Sequence, residues 1–281
     1  MAEFVYRGRR VVYDRAGHGD PIVFLHNAGA QRRIWDDQVA SLRGQSEVFA
    51  LDLPGYGESE QPQGYRLADY RAMLRAFLDE LRLNRVVLAG NCLGSAMSLS
   101  FAIGDPAGVR GLVLINPLTW NTVRHGDQAP LMWFDRIAPL APLARRLALP
   151  KALVEMIVAH QLGPRGRDRE LHKDARLQAH WTDRGRLLAL DRLVQDFPAF
   201  ATLDEFAPGP EFPPICTVWG RRNRILSAAA GARLDETLCP RERLVLSDCG
   251  HLPMVEDPET VTSAITTFLA GLPATKEHVS R

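Results

Sequence analysis

The residues able to do chemistry sit in a few short motifs, and the most specific of them is GNCLG, Gly90 to Gly94. It follows the apolar run Val86 to Ala89 and leads straight into the small-residue stretch SAMSLSFA. A strand that turns through a glycine-flanked corner into a helix forces its central residue into a strained conformation and displays it at the sheet edge. That residue is Cys92. A helix starting at Leu93 aims its free N–H groups at the same place, which favours a thiolate there and, later, an oxyanion. A second motif, DCGHLPMVEDP, places His251 just after another apolar run. An imidazole can serve as a general base, taking a proton from a thiol and returning it to a leaving group or an incoming acceptor, but a histidine between glycine and a Leu-Pro turn can equally be only a loop residue. In isolation, a G-x-C-x-G corner equally fits a buried structural cysteine, so its neighbours decide the reading.

Composition narrows the alternatives. The 281 residues carry a formal net charge of +1, which gives no electrostatic case for nucleic acid. The opening MAEFVYRGRR has no apolar run of the kind a leader requires, and no stretch reaches the roughly 18 apolar residues of a membrane span. A cytoplasmic protein that contacts neither membrane nor nucleic acid is therefore expected. The four cysteines, Cys92, Cys216, Cys239 and Cys249, show no C-x-x-C pair or histidine spacing for a metal, so reduced thiols and no metal site are expected. Cys249 lies two residues before His251, and a redox approach to Cys92 is the chemistry its position would allow.

The elements that must carry these motifs alternate. Strand runs are read at 11–13, 22–25, 48–53, 86–89 and 111–115, with helical spacing up to Leu42, from Leu67 to Leu83 and after the GNCLG corner. The turn AGHGDP between the first two runs suits a tight reversal. Alternation of this kind argues for a mostly parallel sheet covered on both faces. It stops at Leu118. From there to Phe206 the chain shows leucine and alanine at helical spacing, broken by prolines, until the linker APGPEFPP returns it to strands at 215–219 and 244–246, with helices at 228–238 and 258–269.

In this order and spacing, HNAG at His26, DLPGYGES at Asp52, GNCLG, WGRRN and GHLPMVEDP resemble the capped members of the α/β-hydrolase fold. That group includes C–C bond hydrolases, lactonases, esterases, haloperoxidases and epoxide hydrolases. The resemblance covers essentially the whole chain outside the proline-broken segment. It implies an α/β-hydrolase fold with a mostly parallel eight-stranded sheet flanked by helices. The core is expected at 1–117 and 207–281, with a helical cap at 118–206 inserted after the sixth strand. It also implies Cys92 as nucleophile, His251 as base, the backbone N–H groups of Leu93 and Ala28 as oxyanion hole, and His26, Asn27 and Asn91 beside the substrate. No cofactor is implied.

One member of the set departs from the family. The position after the seventh strand that usually holds an aspartate is Asn223, and the alternative acid position, after the sixth strand, is Asn116. Either the site has decayed, or Cys and Asn belong together. A thiol, with a pKa of about 8.5, needs far less help from imidazole than a hydroxyl does, and an amide oxygen suffices to hold the imidazole tautomer. Retention of His251 and the glycines favours the second. Asp248, Asp135 and Asp191 are further carboxylates that could reach the histidine, and Arg165, Arg167 and Arg169 are cations that could meet an anionic substrate, but in a chain this close to neutral the preferred reading of each is a solvated surface group. The expected reaction is acyl-enzyme chemistry on a small-molecule ester, lactone or acyl thioester, free or carrier-bound, ending in hydrolysis, acyl transfer or cyclisation. A non-covalent cyclase or lyase, and a binding protein without turnover, are the alternatives.

Overall fold

The computed structural model describes residues 1–127, 129, 149–182, 189–190 and 192–273. Its centre is an eight-stranded sheet with the order β1-β2-β4-β3-β5-β6-β7-β8. The strands are β1 (Ala2–Tyr6), β2 (Arg9–Ala16), β3 (Asp20–Leu25), β4 (Ser46–Leu51), β5 (Val86–Asn91), β6 (Val109–Ile115), β7 (Ile215–Gly220) and β8 (Glu242–Leu246). From β4 to β8 every pairing is parallel, and only β1 and β2 run antiparallel to their neighbours. Interior strands read as continuous apolar runs because both faces are covered: every residue of β5, β6 and β7 is buried. One face packs against α2 (Leu67–Glu80) and α3 (Leu93–Gly104). The other packs against α1 (Asp36–Leu42) and the closing helix Pro258–Ala270.

Two details go beyond the sequence reading. The AGHGDP turn does reverse the chain, but β2 and β3 are not partners, because β4 lies between them. Four consecutive residues of β3, Ile22 to Leu25, are buried, so it needs a strand on each side, and β4 and β5 supply them. The other is β1, in which Phe4 alone is fully buried. An edge strand with one core residue carries too little periodicity to be read.

Parallel strands end on the same side, so their carboxyl ends gather the connecting loops along one edge of the sheet. Here His26 follows β3, Cys92 follows β5, Asn116 follows β6 and Asn223 comes shortly after β7, while His251 comes after β8. Motifs spread from His26 to His251 along the chain thus meet at one rim. Between β6 and β7 the described residues form helices, among them Trp120–Arg124, Lys151–Gln161 and Ala175–Thr182, and no strand. No helix among the described residues is long and apolar enough to cross a membrane.

Candidate active site

Cys92 is the cap residue of α3, with φ 52° and ψ −108°. A side chain in that region costs about 1–3 kcal/mol and persists only where the surroundings over-determine it. They do so here. Cys92 N donates to Ile115 O at 3.0 Å, and its carbonyl accepts from Ala96 N at 3.0 Å and Leu118 N at 3.4 Å. A Cβ on Gly94 would overlap the carbonyl of Leu25, so only glycine lets α3 start this close to β3. The backbone N–H groups of Leu93 and Ala28 both act on the Cys92 thiol. The two N–H groups expected as oxyanion donors thus favour the thiolate, though among the described residues neither forms a hydrogen bond to Sγ.

The thiol itself is 5% exposed, and burial pushes it up to about 12 in spite of those two N–H groups. This reverses the sequence expectation of a favoured thiolate. Two partial charges at a helix start cannot offset the loss of water around an anion, and the burial that removes the water is not readable from the motif. Cys216 and Cys249 are likewise raised to about 12 by burial, and all four cysteines are free. Burial thus disfavours a thiolate at Cys249 as it does at Cys92.

His251 is 2% exposed, and burial lowers it to about 3. The resting pair is thus a neutral thiol and a neutral imidazole. Among the described residues no hydrogen bond joins Cys92 Sγ to the ring, in keeping with two neutral partners; such contacts commonly tighten only when substrate is bound. On its other side the ring is defined. His251 Nδ1 lies 3.2 Å from Asn223 Oδ1, which also accepts from Ile225 N at 2.9 Å and Leu226 N at 3.1 Å. Two backbone donors fix which end of the amide is oxygen, so Nδ1 must carry the ring proton. Nε2 is left with its lone pair, as a base requires. Asn223 Nδ2 is buried and has no hydrogen-bond partner among the described residues.

Asn116 and Asn91 act on the same residue differently. Asn116 Nδ2 donates to His251 O at 3.1 Å, with a longer contact to Gly250 O, and its Oδ1 accepts from Gly220 N at 3.1 Å. Asn91 Nδ2 donates to His251 O at 3.2 Å. Both therefore hold the backbone of the loop, and of the two acid positions weighed, only Asn223 reaches the imidazole. Asp248 does not substitute for it, since its carboxylate is exposed and takes Ser247 Oγ at 3.3 Å. Asp135 and Asp191 lie outside the described residues.

The loop after β3 is also differently employed than its sequence suggests. His26 is fully buried; its Nε2 accepts from Leu53 N at 2.9 Å and its Nδ1 meets Asn27 O at 2.7 Å. Both ring nitrogens are taken by backbone, so His26 shapes the loop and has no polar edge left for a substrate. Asn27 Nδ2 donates to Ala28 O at 3.0 Å, which leaves Asn27 Oδ1, like Asn91 Oδ1, buried without a partner among the described residues. An aromatic series covers this loop. His26 meets Tyr56 at 5.5 Å, Tyr56 stacks on His180 at 5.3 Å, and His180 meets Trp181 at 5.2 Å between ring centroids. Nothing in the motifs announces His180 and Trp181, which come from the helix Ala175–Thr182. Three arginines of the segment between β6 and β7 are occupied within the chain: Arg165 pairs with Asp257 at 3.2 Å, Arg167 donates to Leu162 O and Arg169 to Glu256 O.

Comparison with known proteins agrees with the fold. The family model for the alpha/beta hydrolase fold matches residues 20–258. A 2-hydroxy-6-oxo-2,4-heptadienoate hydrolase of Pseudomonas putida is 26% identical over 260 residues, covering 91% of each chain. The dihydrolipoyllysine-residue acetyltransferase component of an acetoin cleaving system, also from Pseudomonas putida, is 29% identical over 89% of this chain and 64% of its own length. Among solved structures, a thermophilic esterase from Thermogutta terrifontis superposes with a TM-score of 0.79 at 21% identity, over 95% of this chain and 96% of that one.

Proposed function

Because this chain belongs to the α/β-hydrolase fold family, we propose that it attacks the carbonyl of a small ester, lactone or acyl thioester, free or carrier-bound, through Cys92, His251 and Asn223. The observation that carries this reading is the shared oxygen of Asn223, which sets the His251 tautomer without a negative charge. Since the resting thiol is neutral, its proton passes to His251 Nε2 as sulfur bonds to the carbonyl carbon. The carbonyl electron pair moves onto oxygen, where the N–H groups of Ala28 and Leu93 receive it. Collapse of that intermediate expels an alkoxide or thiolate, which takes the proton back from Nε2 and leaves an acyl thioester on Cys92. Water or another acceptor then repeats the sequence in reverse and restores the thiol.

Asn223 holds the transient imidazolium by orientation alone, which suits a nucleophile that ionises more readily than serine. Asn27 and Asn91, each with a free buried oxygen, are the residues to accept a hydrogen bond from a substrate hydroxyl or amide. Residues 118–206 act as the cap over a core of 1–117 and 207–281, and the enzyme works in the cytoplasm. The hydrolase relative favours water as acceptor; the relative named for acetyl transfer keeps transfer open, and so does a buried site that restricts water.

Intact-protein mass spectrometry after mixing with p-nitrophenyl butyrate or butyryl coenzyme A tests the proposal. A butyryl adduct should map to Cys92 and be absent in Cys92→Ala. His251→Ala should slow its formation by about 10² to 10⁴-fold, the usual loss with a general base. Turnover of such esters with no adduct in any variant would favour a non-covalent catalyst. Neither turnover nor adduct would favour a binding protein.

A further inference from the structure

The sequence motif that carries His251 also contains a carboxylate with no part in the proposed chemistry. Glu256 is fully buried, and among the described residues no cation pairs with it. Its partners are backbone N–H groups instead. Oε2 accepts from Gly163 N at 2.7 Å, and Oε1 accepts from Gly250 N at 2.8 Å and Leu252 N at 3.3 Å; the N–H of Gly166 acts on it too. Burial raises the carboxyl above its ordinary value, and these N–H groups oppose the rise. Gly250 and Leu252 flank His251, whereas Gly163 and Gly166 belong to the segment between β6 and β7. One side chain thus bridges two distant parts of the chain, since Gly163 lies 93 residues from Glu256.

The bridge is reinforced on both sides. His251 N donates to Gln161 O at 2.7 Å, and Arg165 N donates to Asp248 O at 3.1 Å. Arg169 Nη1 reaches Val255 O at 3.1 Å and Glu256 O at 2.8 Å. The backbones are so close that a Cβ on Gly163 would overlap Asp248 O. A carboxylate buried only to complete a core would be replaced at little cost by an apolar residue. This one satisfies N–H groups on either side of the base, which would otherwise be buried without partners.

We infer that Glu256 is a positioning residue that clasps the His251 loop to residues 161–166, so that the base is held in place from the cap side as well as from the sheet. The inference rests on the role proposed for His251. Removing the clasp lets the loop drift while Cys92 and the substrate contacts stay in place, so the loss falls on the acylation rate and not on binding. Misplacement of a reacting group by about 1 Å can cost of order 10²-fold. Substrate access by an outward swing of residues 161–166 is excluded as long as the clasp holds.

The test uses the full chain and p-nitrophenyl butyrate. Glu256→Gln, which turns one acceptor into a donor facing backbone N–H groups, should lower the rate of Cys92 acylation about 10- to 100-fold with KM within about threefold of wild type. Lys151→Met, an exposed position of the helix Lys151–Gln161 outside the clasp, should stay within a few-fold of wild type. Hydrogen exchange in the unaltered protein provides a readout that needs no variant to fold: the amides of Gly163, Gly250 and His251 should exchange together, at one common rate. A wild-type protein that never acylates Cys92 would defeat the functional reading and leave the clasp to be judged by exchange. Acylation of Glu256→Gln at the wild-type rate, or independent exchange on the two sides, would overturn the clasp.

Discussion

Cys92 and His251 stand after two parallel strands of one sheet, yet they are held in opposite ways. Cys92 is fixed by backbone: its own N–H and carbonyl are engaged, and Gly94 lies against the Leu25 carbonyl. His251 is fixed largely by side chains from elsewhere. Asn223 takes its ring, Asn91 and Asn116 its carbonyl, and Glu256 the N–H groups on either side of it. A nucleophile needs one strained conformation, which a corner can impose locally. A base needs a tautomer, a ring direction and a distance, and no single turn sets all three.

The largest effect is expected where the backbone does the holding. Gly94→Ala forces a methyl into the Leu25 carbonyl, and relief requires α3 to move off the sheet. Urea unfolding should show a loss of about 3 kcal/mol or more, the upper range for overpacking a close contact. A loss under about 1 kcal/mol would mean that the corner is less constrained than its φ and contacts imply.

A smaller effect tests the electrostatics of the pair. A thiol raised to about 12 stays protonated at neutral pH, and its thiolate appears only as pH rises. Iodoacetamide should therefore label Cys92 slowly at pH 7, with a rate that climbs about tenfold per pH unit to about pH 10. The exposed Cys239 should be labelled first. Rapid, pH-independent labelling of Cys92 below about pH 8 would reveal a preformed thiolate and restore the expectation drawn from the motif alone.

The same contrast explains what could be read from the sequence. The sheet strands and the corner at Cys92 follow from local patterns, because buried parallel strands and glycine corners leave a signature within a few residues, whereas the pairing of Asn223 with His251 is what the family resemblance implies. The resting charge state did not follow. The motif shows a helix N-terminus, but the covering side chains, His180 and Trp181 among them, come from a distant segment. Glu256 was visible in GHLPMVEDP, but nothing in sequence separates a carboxylate that receives several backbone N–H groups from one in water. Asn116 illustrates the middle case: its position pointed to the site, and only the fold showed that it holds the loop carbonyl and not the ring.

The central claim is that Cys92 and Asn223 are matched to each other, and a double-mutant cycle on them measures that coupling. Asn223→Asp keeps an oxygen for His251 Nδ1, Ile225 N and Leu226 N while adding a charge that favours the imidazolium. With Cys92 present, acylation by p-nitrophenyl butyrate at about pH 7 should change by less than about threefold, because even a thiol raised by burial gives up its proton more readily than the hydroxyl that would replace it. Cys92→Ser should be nearly inert beside Asn223 and should recover about tenfold or more when combined with Asn223→Asp, since a hydroxyl needs the stronger base. The account predicts a coupling of about 0.7 kcal/mol or more. Equal loss in Cys92→Ser with and without the aspartate would show that the two residues act independently, and the Cys–His–Asn mechanism would be contradicted.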